Sequence, residues 1–493
     1  MTRRGLGLAG ILILLGSGLG GHCQSPASHV ELAARDLAGV RPDRRPFVRY
    51  LSAYHQINPK NLASLDQILR FWVNSLSRDP ELIAPTRVAP GLWRVDLEDY
   101  QWSVSTWEKL AQEEPYFTLK LVVARQAVKV RKWWPGGKDK TGKYFPPHWY
   151  EVEENNEGEE FAAAPWTPAR EALYLREQTG SVVPVVRADW WIWQTATQVD
   201  RKVGYYDFLG LGTKEADFHE LVGADIGKAR KLRREIGALV SRSTVTLHNR
   251  ALERFDAISG PYWRSRDFNR DSAEKNALRI LDGDIEEDAS EQYGSLPNRL
   301  WAFWLQDGQG NRQDTAPDFI ASDGLAHGTD RRVVIGLSCV RCHVEGIRPI
   351  KDWARKVYQP PFDLEDTIDY RRTRALRSKY LSDLAEAVLE DQERYARVLL
   401  KVNGLAPADN ARLLGQTYAF YEEDRSLATF SIDLGVTEKQ LTDALRLEAA
   451  RLTRTGGKLD PLLAGLLQGL ELRIEHAHEL VPLAHEILSV NGS

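Results

Sequence analysis

The chain has 493 residues, 43% apolar and 27% charged, proportions that suit a folded protein with room for more than one domain. Its formal net charge is -4 and its Arg and Lys are scattered, so it offers no basic block for a nucleic acid to grip. It carries 15 Trp and a single Met, Met1.

The first residues read as an export signal over 1–23. Thr2-Arg3-Arg4 is a short basic start, Leu6 to Leu19 is an apolar run, and the small residues Gly20 and Gly21 follow. The run is too short and too glycine-rich for a membrane span. No later segment is an uninterrupted apolar run of spanning length, so the mature chain is not expected to cross a membrane. Cys23 sits where a lipoprotein's acylated cysteine would sit, but His22 before it suits such cleavage poorly. Two outcomes stay open, a lipid anchor at Cys23 or cleavage nearby. Residues 24–44 are polar and loosely patterned, and read as a linker.

Residues 45–335 read as a mixed α+β domain with short strands. Leu62, Leu65, Ile68, Leu69, Phe71, Trp72 and Val73 recur at helical spacing. Leu92 to Leu97 alternates like a strand, and Ser105 is a fair N-cap for a helix to Glu113. Thr118 to Val130 suggests a strand pair. Lys132 to Ala164 suggests a hairpin or surface loop rich in Gly and Pro. Val182 to Gln194 reads as a buried strand whose tryptophans either fill core or line a pocket. Lys214 to Arg254 reads as two or three helices. Leu300–Gln306 and Arg331–Leu337 read as strands around a turn-rich stretch that opens at Asp307.

Residues 336–361 hold the motif that carries chemistry. Gly336-Leu-Ser-Cys-Val-Arg-Cys-His-Val-Glu-Gly346 contains Cys339, Cys342 and His343 as Cys-x-x-Cys-His, the attachment sequence for c-type haem. Two thiols add across the two vinyl groups of one porphyrin, which requires a short turn between them. The next residue then places an imidazole under the iron. A structural zinc site wants four ligands, and no second cysteine pair is present. A thioredoxin-like redox pair wants a βαβ context that the sequence does not show, and a plain Cys339–Cys342 disulfide is the third alternative.

Residues 362–493 read as an all-helical region packed on the mixed part. Charged, helically patterned stretches cover Asp363–Val402, Asp409–Glu423, Thr437–Thr453 and Glu471–Leu488. The expected fold class is therefore α+β, mainly helical.

Phrases spread along most of the chain also resemble a family. They are Arg45-Pro-Phe-Val-Arg-Tyr-Leu51, Trp93-Arg-Val-Asp-Leu-Glu-Asp-Tyr-Gln-Trp102, Thr106-Trp107, Glu114-Pro-Tyr116, Arg187-Ala-Asp-Trp190 and Gly260-Pro-Tyr-Trp-Arg-Ser-Arg-Asp-Phe268. Ser295-Leu-Pro-Asn-Arg-Leu-Trp301, Ala316-Pro-Asp-Phe-Ile-Ala-Ser-Asp323 and Asp330-Arg-Arg332 lead into the motif. The chain resembles exported, planctomycete-type c-type cytochrome-like proteins of unknown function. The resemblance implies one haem per chain and electron transfer, with no established substrate. It departs at Asn249-Arg-Ala-Leu-Glu-Arg-Phe255, where an Arg-His pair is expected after a helix and His248 stands before it instead.

Methionine, the sixth iron ligand of many cytochromes c, is excluded once Met1 leaves with the signal. His55, His148, His219, His248 and His327 are the imidazoles to weigh, and His327 is nearest in sequence to Cys339. Each is otherwise an ordinary core or surface histidine. On the C-terminal helix with His476, His478 and His485 share a face, but no third ligand stands at fixed spacing. Arg341, Arg348 and Lys351 are close enough in sequence to pair with the haem propionates, or are simply solvated charge.

The expectation is an exported protein, periplasmic or lipid-anchored, with one covalent haem and a redox partner protein. Its alternatives are a haem enzyme or gas or peroxide sensor with an open iron, and a non-haem structural lipoprotein.

Overall fold

The computed structural model describes residues 26–56, 58–116, 121–124, 127–134, 136–138, 140–146, 148–155, 160–163, 168–232, 234–240, 250–268, 286–317, 321–324, 331–348, 350–352, 379 and 384–491. The export signal and Cys23 lie outside these residues, as do His248 and His327.

The chain opens with α1 (Pro26–Ala38), β1 (Val48–Ser52), α2 (Pro59–Ser75), β2 (Thr86–Ala89), β3 (Leu92–Asp96) and α3 (Val104–Ala111). Six strands follow, β4 (Leu121–Ala124), β5 (Ala127–Trp134), β6 (Gly137–Lys138), β7 (Tyr144–Phe145), β8 (His148–Asn155) and β9 (Glu160–Ala163). Next come α4 (Ala169–Thr179), β10 (Val185–Arg187), α5 (Ala188–Thr195), α6 (Tyr205–Phe208), α7 (Glu215–Val222) and α8 (Ile226–Lys231). Then β11 (Glu235–Val240), β12 (Arg250–Ala257), β13 (Gly260–Asp267), β14 (Ala289–Ser295) and β15 (Trp301–Asp307) lead to α9 (Leu337–Cys342). The C-terminal helices are α10 (Leu384–Asn403), α11 (Pro407–Glu422), α12 (Leu427–Asp433), α13 (Glu438–Arg454), α14 (Pro461–Leu467) and α15 (Ile474–Asn491). The fold is α+β, with helices at 409–423, 437–453 and 471–488 close to where their periodicity places them.

Two sheets organise the first part. One has four strands in the order β10-β1-β3-β2, with β1 parallel to β10 and antiparallel to β3. Its faces separate by alternation. Val48, Tyr50, Leu92 and Val185 face a small core with α1 and α4. Leu51, Trp93, Val95 and Val186 face the main core. The other sheet is a five-stranded antiparallel meander, β11 to β15 in sequence order. The main core is one continuous cluster that runs from Leu51 to Ile487, so the C-terminal helices share it with the N-terminal part. Among the described residues no helix is long and apolar enough to cross a membrane.

Several expectations change. Residues 26–38 of the expected linker form α1, because Val30, Ala33, Ala34 and Leu37 make one apolar stripe that the first sheet buries. The cap of α3 is Ser103, not Ser105; Ser103 Oγ accepts from the backbone N–H groups of Ser105 and Thr106 at 3.1 and 3.4 Å. The two strands within 118–130 do not pair with each other. β4 pairs with β9 and β5 with β8, so 132–164 takes the hairpin alternative, as nested ladders.

The expected strand at 182–194 is a strand only to Arg187. Its tryptophans lie on α5, where Asp189 in the first turn suits the positive end of the helix. Among the described residues of 214–254 only α7 and α8 are helical. Residues 235–240 and 250–254 join the meander, where cross-strand partners such as Glu253 and Arg264 outweigh local helical preference. Arg331–Leu337 is not a strand. It makes a single bridge, Val334 to Thr315, before Gly336 turns the chain into α9. Gly336 has φ +78°, and a Cβ there would lie 2.4 Å from the Ala196 carbonyl oxygen, so no other residue fits.

Candidate functional site

One helical turn presents the motif. In α9, Cys339 and Cys342 are three residues apart and so lie on the same side of the helix. Cys339 is buried and Cys342 half-buried; they are not joined by a disulfide. Ser338, in the same turn, fixes the helix against buried Asp323. Ser338 Oγ donates to Asp323 Oδ2 at 2.7 Å, and Arg341 Nη2 donates to the same oxygen at 2.7 Å.

The two cysteines and His343 line a cavity of about 350 Å³ between α9 and the meander, within the usual range for small-molecule and cofactor sites. The meander supplies alternate residues, as a pleated sheet must. They are Arg250 and Leu252 from β12, Ser265 and Asp267 from β13, and Ala289, Glu291 and Tyr293 from β14. Leu305, Val333, Ile347 and Ile350 add apolar wall, and Arg348 and Lys351 border it too.

His343 is held at both ring nitrogens. Its Nδ1 lies 3.2 Å from the Gly346 carbonyl oxygen, and its Nε2 lies 3.5 Å from Glu291 Oε1. Tyr293 and Phe303 pack on the imidazole, at 4.7 and 5.8 Å between ring centroids. Burial alone would raise the Glu291 carboxyl, but His343 and Arg250 hold it below the usual carboxylate range. Burial, with Glu291 nearby, pushes the Cys339 thiol well up. Burial, with Asp323 and Glu291 nearby, pushes the Cys342 thiol up to about 12. Burial thus favours the neutral thiol at both cysteines.

Arg250 and Asp267 face each other across β12 and β13, with Arg250 Nε 2.8 Å from Asp267 Oδ1. Burial pushes the Asp267 carboxyl up even beside that guanidinium.

A c-type haem fits this donor set. A backbone carbonyl on Nδ1 is the usual device that fixes a ligating imidazole and leaves Nε2 for a metal. Here that nitrogen faces Glu291 Oε1 at 3.5 Å on the wall of the cavity that both thiols line, so a metal there would take the place of that contact.

The other expected residues divide. Arg348 and Lys351 border the cavity, and Arg348 Nε also donates to the Cys342 carbonyl oxygen at 2.9 Å. Arg341 does not border it; its guanidinium is turned to Asp323. His327 lies outside the described residues. His55 Nε2 lies 3.1 Å from Asp189 Oδ2 in a separate buried cluster. His219 Nε2 lies 2.9 Å from the Tyr262 hydroxyl, and His478 Nε2 lies 2.9 Å from the Tyr421 hydroxyl. Among the described residues no three His, Cys, Asp or Glu side chains are grouped to hold a metal ion. The tryptophans of α5 take the core alternative, with Trp191 packed on Trp102 and Phe208.

Arg250, Asp267, Glu291 and Asp323 were missed in the sequence. Ala289, Glu291 and Tyr293 do alternate, but nothing local says that their face meets the motif. No known family model matches the chain, and no curated protein or solved structure matches it.

Proposed function

We propose that the chain carries one covalent c-type haem in the cavity between α9 and the meander, and that it transfers electrons outside the cytoplasm to a redox partner protein. Cys339 and Cys342 supply the thioethers: each sulfur bonds a vinyl carbon, the vinyl double bond is consumed, and the thiol proton ends on the neighbouring carbon. His343 supplies the axial nitrogen. One observation carries the reading. Both thiols and the imidazole line the same cavity, and the imidazole is already held at Nδ1 by the Gly346 carbonyl. The haem would supply one-electron chemistry. The chain's own part is to hold the ring, exclude water and set the charge around it.

A second reading is an open iron that binds peroxide, oxygen or nitric oxide. It is favoured by the buried carboxylates Glu291 and Asp267 on the cavity wall, since shifted carboxyls gather at reacting sites. Export belongs to the same proposal and rests on the first residues of the sequence, with a lipid anchor at Cys23 and cleavage nearby as its two forms.

The test is a haem-stained denaturing gel of protein exported by a host with c-type maturation, with visible spectra. Stain that survives denaturation is expected. Its loss, with a control cytochrome stained, removes the proposal. A low-spin spectrum indifferent to carbon monoxide supports electron transfer; a high-spin spectrum that shifts supports the open iron.

A further inference from the structure

We propose that Glu291 is the second axial ligand of the iron: its carboxylate faces the position across from His343 that the motif leaves unassigned. The inference rests on the haem reading, in the form where outside ligands reach the iron, and names the group that they displace.

His343 Nε2 is the ring nitrogen left for a metal, because Nδ1 lies 3.2 Å from the Gly346 carbonyl oxygen. Glu291 Oε1 stands 3.5 Å in front of that Nε2. A six-coordinate iron takes one axial donor from each side of the porphyrin. Imidazole and carboxylate bonds to a first-row metal are roughly 2 Å long, so the two donors end about 4 Å apart. The observed gap falls just short of that separation. A carboxylate acting through an iron-bound molecule would stand one hydrogen bond further off, roughly 3 Å more. The spacing therefore suits a direct bond.

The sheet fixes this placement. Glu291 shares a face of β14 with Ala289 and Tyr293, and its backbone N–H donates to Ser265 Oγ on β13 at 2.9 Å. Among the described residues, the ion pair to His343 is the one its carboxylate makes. The neighbouring acid is occupied: Asp267 Oδ1 lies 2.8 Å from Arg250 Nε, and Oδ2 accepts from Ser265 Oγ at 2.7 Å. Among the described residues, no histidine but His343 lines the cavity. Lys351 borders it and is the donor to test against.

The experiment uses the full chain exported by a host with c-type maturation, its haem confirmed by stain. Neutral imidazole is titrated into the ferric protein and followed by visible absorbance. Wild type is expected to be high-spin, since a carboxylate is a weak-field donor. Glu291→Gln keeps the shape and loses the anionic donor. It should bind imidazole about tenfold tighter, as when the wild-type position is open roughly a tenth of the time. Its midpoint potential should rise, because an anionic axial ligand favours the ferric state. Glu291→His should turn the ferric spectrum low-spin with no added imidazole, which a merely structural carboxylate does not predict. Lys351→Gln should match wild type. A low-spin wild type indifferent to carbon monoxide overturns the inference and leaves the haem reading standing, and this arm needs no variant. Unchanged imidazole affinity and potential in stained Glu291→Gln also overturn it. Absence of stain in the wild type, beside a stained control cytochrome, removes the haem reading and the inference with it.

Discussion

The Nδ1 nitrogen of His343 lies 3.2 Å from the carbonyl oxygen of Gly346, three residues further on. The contact depends on a turn that Gly346 makes at φ +88°, where a Cβ would lie 3.1 Å from Trp301 Cη2. Gly346→Ala should therefore strain the backbone and press on Trp301. A loss of about 1–3 kcal/mol is expected from urea unfolding of the haem-free chain. An unchanged midpoint would show that the turn does not hold the imidazole.

Asp323 is fully buried and takes Ser338 and Arg341 on one oxygen. Asp323→Asn should cost about 3–5 kcal/mol, because it removes the buried carboxylate charge opposite the Arg341 guanidinium. The α9 turn should loosen with it. Hydrogen exchange at the backbone of Cys339 and Val340 should rise relative to the rest of the core.

Arg187 joins the first sheet to the C-terminal helices. It pairs with Asp189 at 2.6 Å and with Asp433 at 2.9 Å, and Arg425 reaches Asp433 at 2.7 Å. Its guanidinium also lies 3.8 Å over the Tyr116 ring. Arg187→Met removes one buried charge and leaves two buried carboxylates short of a partner. A loss of about 3–5 kcal/mol is expected, with faster proteolysis near α12. Wild-type resistance in the variant would mean that the apolar core alone holds the helices.

Three buried histidines set an acid limit. Burial, with His55 nearby, lowers His29 to about 4. Burial, with Arg187 nearby, lowers His478 to about 3, and burial alone lowers His485 to about 4. Each folded value lies below the ordinary value near 6.5. The unfolded chain therefore binds more protons as pH falls from about 6.5 towards these values. Stability should be full above pH 6.5 and fall below it. His485→Gln should flatten the fall of the urea midpoint between pH 6.5 and 4. A slope identical to wild type would clear His485 of any part in it.

Trp301 stacks on Tyr293 at 5.4 Å and on Tyr395 at 4.6 Å between centroids, and so ties the motif's surroundings to α10. Trp301→Ala should cost about 3–5 kcal/mol, read from thermal or urea unfolding. Trp301→Phe should recover much of that loss.

The motif was legible because its chemistry is local. Cys339, Cys342 and His343 stand within one turn, so the haem reading we propose comes from their spacing alone, without any knowledge of the fold. Helices with long apolar stripes, such as α2, α11 and α13, were legible for the same reason: the period is written in consecutive residues. The stripe of α1 was present too, in Val30, Ala33, Ala34 and Leu37, but it is short and interrupted by polar residues.

What only the tertiary structure decided is everything that depends on distant partners. Residues 235–240 and 250–257 have no strong preference of their own, and they become strands because β11 pairs with β12 and β12 with β13. That pairing puts Arg250 opposite Asp267 and turns Glu291 towards His343. Arg341 is likewise turned from the cavity by a distant partner, Asp323. A sheet's inner face is set by register between strands, and register is a property of pairs. No single stretch of sequence contains it.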